Sequence, residues 1–257
     1  MSGELLTHEL RHRNGAAVLG LVLGAYAFFA LAISGSLSQT LDNLTKNMPQ
    51  ALEAFVGSNV PGGYVLGETF TLIAPIALVA YAVVAGASAV AGEERDGTMS
   101  LLSAQPVSRT RILLAKACGL ALSLCAAAAL FWSGLALADL AFGSPLTPGR
   151  LAAGTTHLLF LGLAFAAIAL AIGAATGRPE VASSAAGGIA VAAYLSNAML
   201  PLAGFGRWAE LSPWYYALGS DPLRNGLDLA HLGALTGLGA IAIVVAVLTF
   251  RRRDLKG

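Results

Sequence analysis

Long apolar runs separated by short polar stretches are the main pattern of this chain. Six runs reach about 20 mostly apolar residues, which is the length that an α-helix needs to cross a bilayer. They cover residues 16–34, 66–91, 112–138, 151–176, 182–202 and 230–250. The pattern predicts an all-α, polytopic membrane protein whose six transmembrane helices form a single transmembrane domain over residues 1–257.

The composition supports a membrane protein. The chain is 56% hydrophobic and only 11% charged, with a mean hydropathy of +0.73, whereas soluble domains carry about 25% charged residues. The net charge of +1 gives no reason to expect nucleic acid as a partner. No small-residue cleavage site follows the first apolar run, so we predict a retained span and not a signal peptide. Cys118 and Cys125 both lie in the predicted third span, where we expect buried thiols that pack as small hydrophobic groups.

Basic residues are distributed unequally between the two sides of the predicted bundle. Six spans place both termini on one side of the membrane, and 11 of the 15 basic residues fall on that side, against 4 on the other. Cytoplasmic loops carry an excess of Lys and Arg, so both termini should be cytoplasmic. The first group is Arg11, Arg13, Arg95, Arg109, Arg111, Lys116, Arg178, Arg251, Arg252, Arg253 and Lys256, and the second is Lys46, Arg150, Arg207 and Arg224.

Two segments outside the spans are predicted to lie in the membrane interface. Residues 1–13 place three leucines on one helical stripe with charged residues around it, which is typical of an interfacial helix. Residues 201–229 carry clustered aromatic rings that suit the headgroup level, where a ring can be half-buried with its polar atom in water. These rings belong to Trp208, Trp214, Tyr215 and Tyr216.

A charged loop between the second and third apolar runs, residues 92–110, is the most informative segment. Four charged residues, Glu93 to Asp96, precede a short amphipathic turn at 99–102. Pro106 follows, and the Ser108 hydroxyl is predicted to cap the next helix by accepting from its free backbone N–H groups. A short helix held at the membrane surface between charged flanks is suited to contact with a soluble partner.

This loop resembles the first cytoplasmic loop of type-2 ABC exporter permeases. The residues that carry the resemblance are Glu94, Arg95, Gly97, Thr98, Leu101, Leu102, Pro106, Ser108, Arg109 and Lys116. Weaker support comes from the stretch 212–223, which is similar to the short helices that precede the last span in that family, and from the ending at 250–255, which is similar to its terminal motif. The resemblance covers nearly the whole chain.

The resemblance implies an elbow helix at 1–13, a cytoplasmic coupling helix within 92–110 and a role in transport without catalysis. Two copies of an ABC ATP-binding subunit and a second permease, the same or homologous, are the implied partners. Charges in the loop would pair with the ATP-binding subunit, and the two leucines would fill an apolar groove in it. The implied ATPase-coupling residues are Glu93, Glu94, Arg95, Asp96, Gly97, Thr98, Leu101, Leu102, Pro106 and Arg109.

No cofactor is expected in this chain. It contains no Gly-x-x-x-x-Gly-Lys-Ser/Thr segment, which is the loop that cradles nucleotide phosphates in many ATPases. ATP and Mg²⁺ would therefore be bound by the partner subunit. The function indicated is that of a permease in a bacterial plasma (inner) membrane exporter, with a hydrophobic small molecule, drug or lipid-like cargo. A permease of a dedicated system, such as copper-site maturation or sodium export, is the alternative within transport.

Three polar residues inside the spans are candidates for a translocation path, because polar groups in a membrane are costly and often functional. His157 would either hydrogen-bond within the bundle or line a wet path for cargo. Tyr194 and Asn197 in the fifth span are weaker candidates of the same kind. The small-residue segments 173–177 and 183–188 indicate either tight static packing or a moving surface.

A zinc-like pattern, His8-Glu9-Leu10-Arg11-His12, raises one enzyme hypothesis, an intramembrane metalloprotease. Catalytic zinc needs a third protein ligand and an open fourth position. The other two histidines, His157 and His231, fall on the opposite side of the predicted bundle. We therefore expect no metal site, and we interpret the pattern as the polar face of the interfacial helix. A membrane anchor or sensor that recruits an ATPase without moving cargo is a third class of function.

Overall fold

The computed structural model of the protein describes residues 14–33, 63–97, 108–143 and 146–253. Every regular element in these ranges is helical, which confirms the predicted all-α fold. We label the helices in chain order: α1 (Asn14–Ile33), α2 (Val65–Arg95, with a π-helical turn at Thr69–Ile73), α3 (Arg109–Phe142), α4 (Pro148–Thr176), α5 (Pro179–Met199), α6 (Gly206–Ala209), α7 (Pro213–Leu218), α8 (Pro222–Asn225) and α9 (Leu229–Arg252).

Five of these helices, α1 to α4 and α9, are long and apolar enough to cross a membrane. The remaining long helix, α5, overlaps the predicted fifth span at 182–202 but is not among the five. Its serines and Asn197 lower its hydropathy, and most of its apolar residues are small. Ala182, Ala186 and Ala190 recur every four residues and are buried, so that one face of α5 packs against α2 and α4.

The central helix of the bundle is α4, which contacts α2, α3, α5, α7, α8 and α9. Its approach to α2 depends on glycines. A Cβ at Gly86 would overlap the carbonyl oxygen of Ala166, and a Cβ at Gly173 would lie 2.9 Å from the carbonyl oxygen of Ala87. The two backbones are therefore in direct contact, as small residues allow in membrane helix pairs.

The two small-residue segments have different surroundings. Gly173 lies in the tight contact just described, whereas an added Cβ at Gly187 or Gly188 would meet nothing within 4 Å. The first segment is thus part of the internal packing, whereas in the second Ala186 is buried and the two glycines after it face open space among the described residues. Cys118 and Cys125 also lie on the surface. The expectation that they are buried was wrong, because α3 turns a different face into the core, the one that carries Leu124, Ala128 and Phe131.

The bundle has two distinct ends, which position the candidate sites. The charged end contains the end of α2, the start of α3, the α4–α5 turn and the end of α9. The opposite end contains the start of α4, the short helices α6 to α8 and the start of α9. Side-chain contacts between these elements define both ends.

Candidate functional site

The charged end brings together the residues that flank the segment 98–107. Helix α2 ends at Arg95, and Gly97 follows with a positive φ of 73°, a conformation that glycine adopts without strain. Helix α3 begins at Arg109 behind the Ser108 N-cap, whose hydroxyl accepts from the backbone N–H of Arg111 at 3.3 Å. The predicted cap is therefore confirmed. Thr98, Leu101, Leu102 and Pro106 lie outside the described residues.

Glu93 is the first carboxylate at this end, and it is only 5% exposed. It forms an ion pair with the ammonium group of Lys116, which lies two turns into α3. The pair joins the end of α2 to the start of α3. An opposite charge at contact distance offsets part of the cost of removing a carboxylate from water.

Glu94 pairs with a different helix. Its side chain is 7% exposed and contacts the guanidinium of Arg253, the C-cap residue of α9. The carbonyl oxygen of Arg253 accepts a hydrogen bond of 2.7 Å from Nη1 of Arg109. Gly177, which ends α4 with a φ of 65°, lies directly against this pair, since a Cβ there would overlap both charged groups.

Arg95 and Asp96 form the exposed part of the charged end. Arg95 donates from Nε to Asp96 Oδ1 at 3.1 Å and from Nη1 to Glu180 Oε1 at 3.0 Å, which links α2 to the first turn of α5. All three side chains are solvent-accessible. Exposed pairs of this kind add about 0–1 kcal/mol to stability.

These contacts change the roles expected for the loop charges. The sequence suggested that Glu93, Glu94, Arg95 and Asp96 pair with charges on a partner subunit. In the structure Glu93 and Glu94 are buried and paired within the chain, and only Arg95 and Asp96 present charge at the surface. The reason is that α3 and α9 each bring a basic side chain to the end of α2.

The partners of these charged residues are hard to recognise in the sequence. Lys116 enters the sequence analysis through the basic-residue distribution and the family resemblance, and Gly177 only as the end of a small-residue segment. Glu180 carries no such signal. Arg253 is one of three consecutive arginines, and no sequence feature shows which of the three turns inward. A general rule could have indicated that such partners exist, because a buried carboxylate needs a cation from some other element. The rule does not say which cation it is.

At the opposite end, His157 joins three elements. Its ring is fully buried. Nε2 accepts from the backbone N–H of Asp228 at 3.2 Å, so the proton is on Nδ1, which donates to the carbonyl oxygen of Tyr216 at 3.2 Å. The imidazole thus ties α4 to α7 and to the N-cap of α9. Backbone N–H groups of His231 and Ala230 in turn bond to the Asp228 carboxylate and lower its pKa.

The other two candidates for a translocation path both lie on α5. Tyr194 packs its ring edge against Trp214, with centroids 4.9 Å apart, and Asn197 is half-buried on α5. Trp214 itself is only 2% exposed and also packs against Phe165. The expectation of a half-buried ring with its polar atom in water was therefore wrong for Trp214, because α7 inserts it between α4 and α5. Trp208 is exposed.

Replacing His157 by Leu should destabilise the protein and loosen α6 to α8. The Tyr216 carbonyl and the Asp228 N–H would lose their buried partner, at about 1–3 kcal/mol for each unsatisfied group. The measurement is the melting temperature of the detergent-purified protein, together with the rate of trypsin cleavage at the exposed Arg207 and Arg224. Thr156→Val is the matched control, because among the described residues the Thr156 hydroxyl bonds within its own helix, to the carbonyl of Ala152. A parental melting temperature for His157→Leu would contradict this role.

Metal binding has no support in the described ranges, where no group of three or more His, Cys, Asp or Glu residues could hold an ion. The His8-Glu9-Leu10-Arg11-His12 pattern lies outside the residues that the structure describes.

The helical bundle, with apolar spans and a charged end of paired loop stems, defines an integral membrane protein of the transporter type. The family model described as "ABC-2 family transporter protein" matches residues 6–255, so the chain belongs to this family. It is a membrane permease of an ABC transporter, a class whose transport subunit works with an ATP-binding partner. None of the curated proteins compared with the chain is similar enough to count as a relative.

Proposed function

We propose that this permease is the membrane subunit of an ATP-driven exporter in a bacterial inner membrane. Two copies of an ATP-binding subunit would bind ATP and Mg²⁺ and drive it, and a second permease, the same or homologous, would complete the pore. The supporting observation is the charged end, where ion pairs fix both stems of the segment 98–107 at the end of the bundle. A segment so anchored is suited to receive force from a soluble subunit.

Six spans are proposed, although α5 is less apolar than the other five. At 1.5 Å per residue its 21 residues are about 31 Å long, close to the thickness of the hydrocarbon core. Its first turn bonds to Arg95 at the charged end, and its carbonyl at Ala193 accepts from Ser212 at the opposite end. Both observations favour a helix that crosses the membrane.

The orientation proposed places the charged end and both termini in the cytoplasm. Among the described basic residues, eight lie at the charged end and three at the opposite end, which fits the excess of Lys and Arg in cytoplasmic loops. The eight are Arg95, Arg109, Arg111, Lys116, Arg178, Arg251, Arg252 and Arg253, and the three are Arg150, Arg207 and Arg224. The cargo proposed is hydrophobic, a small molecule, drug or lipid-like compound, in keeping with the few charges inside the spans.

Thiol labelling tests the orientation. Single cysteines at Gly206 and Arg251, both exposed, are introduced in a background with Cys118 and Cys125 replaced by Ala. In intact cells an impermeant maleimide should label Gly206→Cys and leave Arg251→Cys unlabelled until the membrane is permeabilised. The reverse pattern, or labelling of both positions in intact cells, would overturn the proposed topology.

Co-purification tests the proposed function. The tagged permease, extracted in mild detergent, should bring down an ATP-binding subunit in equal amount and raise its rate of ATP hydrolysis on reconstitution into vesicles. ATP-dependent accumulation of a lipophilic dye in inverted vesicles would support export. Association without any ATP-dependent movement of a panel of such dyes would favour the anchor or sensor class instead.

A further inference from the structure

One residue of the last span contacts both stems of the segment 98–107. The guanidinium of Arg253 pairs with Glu94, three residues before Gly97, and the carbonyl of Arg253 accepts from Arg109, one residue after Ser108. We call Glu94, Arg109 and Arg253 the stem clamp. Arg253 is also the C-cap of α9, with its own N–H bonded to the carbonyl of Thr249. Both contacts of the clamp therefore end on the residue that caps α9.

We propose that Arg253 is the positioning residue that makes α9 move together with the stems of the segment 98–107. This inference rests on the proposed function, because it assumes that a partner subunit displaces that segment. A displacement of either stem would act on α9 through a different group of the same residue. Helix α9 packs along α4, the central helix of the bundle, and also contacts α3 and α7.

The geometry of the pair favours a positioning role over a simple gain in stability. Glu94 Oε1 and Arg253 Nε and Nη1 are buried and have no hydrogen-bond partner among the described residues. A buried ion pair with unsatisfied atoms adds little stability compared with apolar side chains of the same size. What the pair does provide is a cost for separating its two helices, because a buried carboxylate or guanidinium that loses its partner is left with an uncompensated charge.

Gly177 gives independent evidence that the clamp is closely packed. The glycine that ends α4 lies against the pair, and its missing side chain leaves the space that the two charged groups occupy. Four helices thus meet at one residue, with α2, α3 and α9 bonded to it and α4 in contact with it. Arg109 also places a cation at the carbonyl end of α9, where it interacts favourably with the helix dipole.

Electron paramagnetic resonance distances test the clamp. Spin labels are attached to single cysteines at Arg111 in α3 and Arg251 in α9, both exposed, with Cys118 and Cys125 replaced by Ala. In nanodiscs the parent should give one narrow distance distribution. Arg253→Gln and Glu94→Gln should each broaden this distance distribution about twofold, because loss of the ion pair would allow the ends of α3 and α9 to open locally. The double reversal Glu94→Arg with Arg253→Glu should narrow it again, and Arg252→Gln, the exposed neighbour, should match the parent.

A second arm distinguishes positioning from a general structural role. In the complex with an ATP-binding subunit that binds but does not hydrolyse ATP, the parental distance should be the same with and without ATP. In Arg253→Gln the distance should become ATP-dependent, because the stem would move without α9. A merely structural loss would broaden both states equally and leave their means unchanged.

The outcomes separate the two proposals. A parental distribution in Arg253→Gln without nucleotide, or a parental distance that shifts with ATP, would overturn the clamp. Failure of the permease to bind any ATP-binding subunit would overturn the proposed function, and with it the transmission of force, while the nucleotide-free arm would still report on the contact itself.

Discussion

Reversing Glu94 to Lys should destabilise the folded permease strongly, and added salt should not rescue it. The side chain is 7% exposed and faces the guanidinium of Arg253, so the substitution would bury two cations side by side. Breaking a buried pair costs on the order of 3–5 kcal/mol, because it leaves an uncompensated charge. Salt screens buried charges far less than exposed ones. The measurement is the melting temperature in detergent at low and high ionic strength.

Asp96→Lys is the matched control for this prediction. Asp96 lies two residues further along, and its side chain is 40% exposed. The substitution therefore makes the same change of charge, but at the surface. Its melting temperature should stay close to that of the parent. If Glu94→Lys also melts like the parent and weakens only the association with an ATP-binding subunit, in a salt-dependent way, then Glu94 belongs to the rim of an intermolecular interface.

Changing Leu101 and Leu102 together to Asp should abolish association with the ATP-binding subunit. Interfaces of this kind bind through a small apolar core with charges at the rim. Two carboxylates in that core would have to lose their water without a partner, at several kcal/mol for each ion. The spans are unchanged, so the variant should still insert and fold. Co-purification and stimulation of ATP hydrolysis are the measurements.

Ser100→Asp with Ser103→Asp is the control for the leucine variant, since it adds the same two charges in the same segment while leaving both leucines in place. This control should still co-purify with the partner. Normal association of the double-Asp leucine variant would mean that the contact surface lies elsewhere on the permease.

The sequence predicts the long helices well, because crossing a bilayer requires a long apolar run and few other structures produce one. It places their ends less well. The third apolar run covers 112–138, whereas helix α3 extends over Arg109–Phe142. Hydropathy reports where the hydrocarbon core ends, whereas a helix continues until its backbone is capped. Where a cap could be recognised, at Ser108, the start of α3 was predicted correctly.

The contacts at the charged end could not be predicted, because their partners are far apart in sequence. Glu94 and Arg253 are separated by 159 positions, and Arg251 and Arg252 have the same chemistry as Arg253. Only the rotation of α9 in the folded bundle selects one of the three. Trp214 shows the same limit. A tryptophan near a membrane surface has an ordinary place at the headgroups, and only the insertion of α7 between two helices buries it.

The charges at the two ends of α9 restrict how this helix can move. Asp228 caps its start, and Arg251 and Arg252 occupy its last turn. At 1.5 Å per residue its 24 residues are about 36 Å long, only slightly more than the hydrocarbon core. A piston-like shift by one turn, about 5.4 Å, would move the charges of one end towards the hydrocarbon core, where charged side chains are costly. Tilting keeps both ends in water, so we expect the last helix to move by tilting and not by sliding along its own axis.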